Sequence, residues 1–113
     1  MKEIKAIIRK NKLTDVIIEL KKVNDLPGIT ISEVKGFGKS QAEGAEHKIV
    51  DDLIEYVPKI KLEIVVNEDL VNIVVDTIQK TAHTGLPGDG KIYVYEIESV
   101  IKIRTNEKGE SAI

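Results

Sequence analysis

The fold is decided by KLEIVVNEDLVNIVVDTI, residues 61–78, because the spacing of its apolar residues changes at Asn67. Before Asn67 apolar and polar residues alternate, which is typical of a β-strand with one buried face. After it, Leu70, Ile73, Val74 and Ile78 follow the period of an α-helix with one apolar side. Asn67 itself is a residue type that favours the N-cap position. The stretch therefore predicts a strand followed by a helix, and the alternating residues 93–97 predict another strand after it.

The first part of the chain repeats this strand, helix, strand order. Residues 3–9 alternate and are rich in Ile, and residues 29–34 alternate again after a turn-forming segment at 24–28. Between them, the apolar stripe of a surface helix is formed by Leu13, Val16, Ile17 and Leu20. The two halves of the chain thus match in the type and length of their elements.

Two such βαβ units predict an α+β fold, the ferredoxin-like split βαβ sandwich of order βαββαβ. Its antiparallel sheet carries two helices on one face. We expect the other face to be bare and rich in Ile and Val, and therefore to be buried against copies of the chain in a symmetric homo-oligomer. The length of 113 residues predicts a single domain over residues 1–113.

Composition narrows the class of protein. The chain has no Cys, which removes disulfides and thiolate metal sites and favours a reducing compartment, so a cytoplasmic location is expected. Seventeen basic and nineteen acidic residues are interspersed, and one Phe and three Tyr are available for stacking on bases. Nucleic-acid binding is not expected from this pattern. No apolar run approaches the roughly 20 residues of a membrane span, so membrane insertion is not expected either.

A glycine-rich segment, TGLPGDGK at residues 84–91, is called the glycine loop below. Glycines allow backbone N–H groups to close on an anion, and a lysine adds positive charge, so the composition suits a phosphate. The segment is not a Walker A loop, because Ile92 stands where that motif needs Ser or Thr and because a helix, not a strand, precedes it. A tight turn that caps the preceding helix remains the structural alternative.

The connecting loop, residues 37–56, has no clean period. A connection of this length in a compact domain is usually functional or disordered. Two interpretations stay open: an effector loop that binds a partner, and a hairpin extension of the flanking strands.

Four motifs occur in order along essentially the whole chain. They are TISEVKGFG (30–38), VPKIKLEIVV (57–66), TGLPGDGKI (84–92) and IKIRT (101–105), the last followed by acidic residues. They resemble the end of strand two, strand three, the nucleotide-binding B-loop and the C-terminal segment (residues 101–113 here) of the PII nitrogen-regulatory signalling proteins. The connecting loop stands where that family has its T-loop. The resemblance implies the fold predicted above, assembled as a homotrimer in which ATP and ADP compete for clefts between subunits.

The resemblance also implies roles for matching residues. Phosphates would be wrapped by Gly88, Asp89, Gly90 and Lys91, and the adenine and ribose would be bordered by Thr30 and Val65. Lys59 matches the lysine of the effector site, and the C-terminal residues that would reach the phosphates across the subunit boundary are Lys102, Ile103 and Arg104. Phosphates and connecting loop would meet at Gly38, Lys39 and Ser40. The partner-binding residues of the loop would be Gln41, Glu46, His47 and Lys48.

Some positions depart from the family pattern. Lys39 and Lys102 replace frequent arginines, which keeps the charge but loses the bidentate fork. The glutamine that helps to hold Mg-ATP and 2-oxoglutarate falls on Ser40, which argues against 2-oxoglutarate sensing, whereas a one-residue adjustment would bring Gln41 into the site. The tyrosine that many relatives have uridylylated aligns with Asp52, or with His47 if the loop is gapped. Neither residue accepts that modification.

The resemblance thus implies a non-enzymatic sensor that binds ATP or ADP, with Mg possible alongside ATP, and acts on a membrane transporter or a metabolic enzyme through the connecting loop. Two alternatives stay open. One is a slow ATPase, although no general base or pair of metal-binding carboxylates is evident beside Lys91. The other is a structural trimer related to the copper-tolerance proteins of similar fold, in which the glycine loop is only a turn.

Overall fold

The computed structural model describes residues 1–37 and 56–113. Its helices and strands are, in chain order, β1 (Lys2–Arg9), α1 (Leu13–Leu20), β2 (Thr30–Gly36), β3 (Val57–Val66), α2 (Glu68–Ala82) and β4 (Lys91–Glu96). Short 3-10 turns lie at Lys10–Lys12 and Glu110–Ala112. This order confirms the predicted α+β succession βαββαβ.

The four strands form one sheet in the order β2-β3-β1-β4, and each neighbouring pair is antiparallel. The long central pair is β1 with β3, which runs in register from Lys2 opposite Val66 to Arg9 opposite Lys59. Strand β4 pairs with the other edge of β1, from Lys2 opposite Glu96 to Ile7 opposite Lys91. The arrangement is the split βαβ topology expected from the sequence.

The core lies between the sheet and both helices. It is built from the alternate apolar residues of the two central strands and from the apolar stripes of the helices. Its fully buried members are Ile4, Ala6, Ile8, Val16, Leu20, Ile60, Leu62, Ile64, Val66, Val74 and Ile78. Burying side chains of this size contributes about 1.5–3 kcal/mol each, which makes this layer the main source of stability.

Both helices lie on one face of the sheet as expected, but the expectation that the other face is rich in Ile and Val is wrong. In β1 the Ile residues at positions 4 and 8 point to the helices, so the alternating positions, which point away, carry Glu3, Lys5, Ile7 and Arg9. The neighbouring strands continue this charged and aromatic face with Lys59, Lys61, Glu63, Val65, Tyr93 and Tyr95. The Lys5 ammonium lies 4.9 Å from the centre of the Tyr95 ring, within the range of a cation–π contact. The face is therefore amphipathic rather than an exposed aliphatic core.

Asn67 occupies the N-cap position of α2 as predicted, but its side chain makes no capping hydrogen bond. Its Oδ1 atom is buried and has no hydrogen-bond partner among the described residues. The observed boundaries of the other elements differ from the predicted ones by one to four residues. Strand β3 begins at Val57 rather than residue 61, in agreement with the longer 57–66 motif, and β4 spans Lys91–Glu96 rather than 93–97.

The predicted site residues of the connecting loop lie outside the described residues. They are Gly38, Lys39, Ser40, Gln41, Glu46, His47 and Lys48. The base of the loop is described, since Gly36 pairs with Val57 and the rings of Phe37 and Tyr56 meet edge to face with centroids 6.3 Å apart. Neither α1 nor α2, nor any other helix within residues 1–37 and 56–113, has the length and apolar character to cross a membrane.

The α2 helix offers a direct test of where the core lies. Ile78 is fully buried, whereas Ile73 of the same helix is 49% exposed. We expect Ile78→Ala to lower the free energy of unfolding by about 2–5 kcal/mol, because it removes buried methyl groups and leaves a cavity. Ile73→Ala, the matched control, should change it by less than about 1 kcal/mol. Urea unfolding of both variants at one protein concentration provides the measurement, and equal losses would contradict the assigned core.

Candidate functional site

The glycine loop connects the end of α2 to the start of β4 and depends on glycine at three positions. Gly85, Gly88 and Gly90 have φ angles of 86°, 100° and 96°, in the region that side chains other than glycine rarely adopt. At Gly90 space is also limiting, since a Cβ atom there would lie 1.7 Å from the carbonyl oxygen of Ile7. The loop backbone therefore lies directly against β1, an approach that only glycine permits.

The Asp89 carboxylate holds the loop from inside. Its Oδ2 accepts hydrogen bonds from the N–H groups of Thr84 and Gly85, each at 2.9 Å, and its Oδ1 accepts one from the Thr84 hydroxyl. Arg9 Nε donates to the same Oδ1 at 3.0 Å. The Thr84 hydrogen bonds are the largest cause that lowers the pKa of Asp89 far below its usual range. The Asp89 side chain is thus committed to holding the loop itself.

Arg9 and Lys59 face the loop from the sheet. Arg9 donates from a terminal guanidinium nitrogen to the Pro87 carbonyl at 2.8 Å, and Lys59 Nζ donates to the Gly88 carbonyl. Burial lowers the pKa of Lys59, and the nearby Arg9 charge lowers it further. Sequence reasoning missed Arg9. Arg9 could have been found from the register of the two central strands, because β1 and β3 pair Arg9 with Lys59. Both side chains point away from the helices.

The N–H groups of Gly88, Asp89 and Gly90 form a run of consecutive backbone donors. Among the hydrogen bonds of residues 1–37 and 56–113, none is donated by these three groups. Lys91 follows immediately as the first residue of β4, and its side chain is exposed. Successive N–H groups that donate to no described residue, next to a lysine, are a donor set suited to an anion. A cleft of about 270 Å³ adjoins the loop and is lined by Ile7, Asp89, Gly90, Lys91 and residues of α2.

A second cavity, of about 350 Å³, contains Thr30 and Val65, the two residues expected to border adenine and ribose. Both lie on the sheet face away from the helices, with Glu3 and Glu63 beside them. The chain terminus returns to this cavity, since Val100 and Ile113 also line it. The structure therefore brings Thr30 and Val65 together in a partly apolar recess with carboxylates at its edge.

The C-terminal segment forms a compact turn. Lys102 and Glu107 are joined by a backbone hydrogen bond of 2.8 Å and by side-chain atoms 3.5 Å apart. The Ser111 hydroxyl, followed by Lys102, lowers the pKa of the Glu107 carboxyl. Ile103 is 99% exposed, and Arg104 is exposed beside it. In the described part of one chain, no hydrogen bond or ion pair joins residues 102–104 to the glycine loop.

The predicted site residues therefore fall into two groups. Lys59 contacts the glycine loop, whereas Val65 lies six positions further along the same strand, in the second cavity. At about 3.3 Å per residue, the two positions are roughly 20 Å apart. One chain does not bring the loop and the Thr30–Val65 recess together. Among the described residues no group of three or more His, Asp or Glu side chains could hold a metal ion.

The close approach at Gly90 leads to a matched pair of substitutions. Gly109 also has positive φ, at 88°, but a Cβ there would meet nothing within 4 Å. Gly109→Ala should cost about 1–3 kcal/mol of unfolding free energy through its backbone conformation alone, because its φ of 88° and ψ of −158° lie in a region that glycine adopts almost exclusively. Gly90→Ala should cost about 1–3 kcal/mol more, because the added methyl group collides with the Ile7 carbonyl. Denaturant unfolding measures both, and an equal loss would mean that the loop does not lie against β1.

The hydrogen bonds that Asp89 accepts predict a pH dependence of stability. Folding lowers the pKa of Asp89 below its ordinary value of 3.8. The ionised carboxylate therefore stabilises the folded protein fully above about pH 3.8, and this stabilisation is lost progressively as the pH falls below 3.8 toward the folded-state pKa. Asp89→Asn should therefore lower the free energy of unfolding by about 1–3 kcal/mol at neutral pH. The difference between the variant and the original chain should shrink toward about pH 3. A difference that stays constant with pH would contradict the assignment.

Comparisons of the sequence with known proteins identify its family. The family model described as nitrogen regulatory protein P-II matches residues 1–107. The nitrogen regulatory protein P-II of Klebsiella oxytoca and the nitrogen regulatory protein P-II 1 of Escherichia coli strain K12 are each 45% identical to this chain over 113 residues, which is the full length of both partners. The nitrogen regulatory protein P-II of Pasteurella multocida strain Pm70 is 43% identical over the same length. The chain therefore belongs to the P-II family of nitrogen regulatory proteins.

Proposed function

We propose that this protein is a cytoplasmic signalling protein that binds ATP or ADP between the subunits of a homotrimer. Through the connecting loop it regulates a membrane transporter or a metabolic enzyme. The observation that carries the proposal is the run of free N–H groups at Gly88, Asp89 and Gly90, followed by Lys91. Such a donor set binds the phosphates of a nucleotide through the backbone and adds a positive charge at one end.

The separation of the two groups of site residues supports a site shared between subunits. The glycine loop and the Thr30–Val65 recess are roughly 20 Å apart along β3, further than one nucleotide reaches comfortably. A second copy that places its recess against the loop would complete the site. In this arrangement the neighbour's Lys102 and Arg104 would supply additional charge to the phosphates. The nearly full exposure of Ile103, at 99%, is consistent with a surface that a neighbouring subunit covers.

Contacts that run from the glycine loop through Lys59 to the base of the connecting loop support regulation by ligand. Lys59 of β3 donates a hydrogen bond to the Gly88 carbonyl. It lies two positions after Val57, and Val57 pairs with Gly36 at the base of the connecting loop. The Lys59 stem also packs against Gly36, since a Cβ atom there would lie 3.5 Å from Lys59 Cγ. A nucleotide at the glycine loop is thus positioned to favour one state of the connecting loop over another. The ligand acts through its different affinity for the two states.

The names of the relatives favour a regulatory role over catalysis, since each is called a regulatory protein. Mg could accompany ATP at the phosphates. Replacement of the family glutamine by Ser40 leads us to propose that 2-oxoglutarate does not strengthen ATP binding.

Calorimetric titration of the purified protein with ATP and ADP, with and without Mg and 2-oxoglutarate, tests the ligand assignment. We expect both nucleotides to bind at one per subunit and 2-oxoglutarate to leave the ATP affinity unchanged. Lys91→Gln should weaken both nucleotides by about tenfold, because it removes a charge-assisted contact to phosphate. Failure of both nucleotides to bind would instead favour a structural trimer. Sustained release of phosphate would favour a slow ATPase.

A mixing experiment tests whether two subunits share one site. Lys91→Gln and Arg104→Gln should each weaken ATP binding when every subunit carries the substitution. If the two residues come from different subunits, reassembled mixtures of the variants contain some sites with both residues intact. Random mixing in a cyclic trimer should restore about a quarter of the sites to full affinity. If both residues served the same site from one chain, mixing would restore none.

A further inference from the structure

We propose that Arg9 is a positioning residue that orients the backbone donors of the glycine loop for phosphate without binding the phosphate itself. The proposal rests on the nucleotide-binding function proposed above and adds a residue to it. Arg9 makes two well-formed contacts to the loop, from Nε to Asp89 at 3.0 Å and from a terminal nitrogen to the Pro87 carbonyl at 2.8 Å. Its side chain is 26% exposed, so most of it is committed to these contacts.

The geometry of the peptide bond explains how a contact to a carbonyl orients a donor. In a trans peptide the C=O of one residue and the N–H of the next point in opposite directions, and the described chain contains no cis peptide bond. Arg9 draws the Pro87 carbonyl toward the sheet, so the Gly88 N–H points away from it. Lys59 draws the Gly88 carbonyl in the same way, so the Asp89 N–H points away as well. The two cations therefore turn the loop's acceptors inward and its donors outward.

Arg9 also holds the carboxylate that closes the loop. Asp89 Oδ1 receives Arg9 Nε, while Oδ2 receives the N–H groups of Thr84 and Gly85 at the loop entrance. One guanidinium thus joins the beginning and the end of the loop. A lysine at this position keeps the positive charge but cannot donate to Asp89 and Pro87 at once with a planar fork.

The location of Arg9 leaves little room for a direct role at the phosphate. A Cβ atom on Gly88 would lie 3.3 Å from an Arg9 terminal nitrogen, so the guanidinium packs against the inner side of the loop. The outward donors lie on the other side. The role of Arg9 therefore depends on the shape of its side chain more than on its charge.

Three variants of the full chain separate shape from charge. Arg9→Gln removes both the positive charge and the planar guanidinium, whereas Arg9→Lys removes the guanidinium but keeps the charge. Lys10→Gln is a matched control. Lys10 neighbours Arg9 in sequence, but it pairs with Glu33 at 3.3 Å and not with the glycine loop. In calorimetric titrations with ATP and with ADP, both Arg9 variants should lose about tenfold in affinity, and Lys10→Gln should retain the original affinity. If Arg9→Lys retained the original affinity while Arg9→Gln lost it, charge alone would explain the effect and the proposal would be overturned. Unchanged affinity in both Arg9 variants would also overturn it.

A second measurement on the ligand-free protein does not depend on nucleotide binding. The amide protons of Thr84 and Gly85 are bonded to Asp89, which Arg9 holds in place. Their hydrogen-exchange rates, measured by NMR, should rise about tenfold or more in Arg9→Lys and stay unchanged in Lys10→Gln. If the original chain binds no nucleotide but its exchange rates respond in this way, the proposed function fails and Arg9 still positions the loop. Equal exchange rates in all variants would overturn the positioning role.

Discussion

The antiparallel pairing of β1 with β3 is the constraint on which the rest of the structure depends. Its register places the Ile and Val residues of both strands on the helix side and leaves Arg9 opposite Lys59 on the other. It also positions the Ile7 carbonyl where the glycine loop must pass, which only Gly90 allows. The same pairing that buries the core therefore places two cations beneath the loop.

This constraint also divides the candidate site. A strand is nearly straight over six residues, so Lys59 at one end and Val65 at the other cannot approach one ligand together. The glycine loop carries the run of backbone donors, and the partly apolar Thr30–Val65 recess lies roughly 20 Å away along β3. The proposed assembly of several copies would resolve this incompleteness, and it would give a physical reason for a ligand at a subunit boundary to act on the connecting loop.

Sequence periodicity was sufficient to predict the order of strands and helices, because Asn67 separates two patterns with clearly different periods. The prediction of a second sheet face rich in Ile and Val was wrong because it conflicts with this periodicity. The alternation within residues 3–9 and 61–66 already directs most Ile and Val side chains to one face and charged side chains to the other. The contacts of the Asp89 side chain could not be predicted from the motif. Its partners Thr84 and Gly85 are close in sequence, but Arg9 is eighty residues away. Long-range contacts of this kind have no local pattern, and the motif at 84–91 indicated only that a ligand loop was possible.

The most direct test of the account is a crystal structure of the protein with ATP or ADP bound. The account predicts one nucleotide at each subunit boundary, with its phosphates against the N–H groups of residues 88–90 of one subunit and its base against Thr30 and Val65 of the neighbour. Arg9 should contact the loop and not the phosphates. A nucleotide held entirely within one chain, or phosphates bound directly by Arg9, would contradict it.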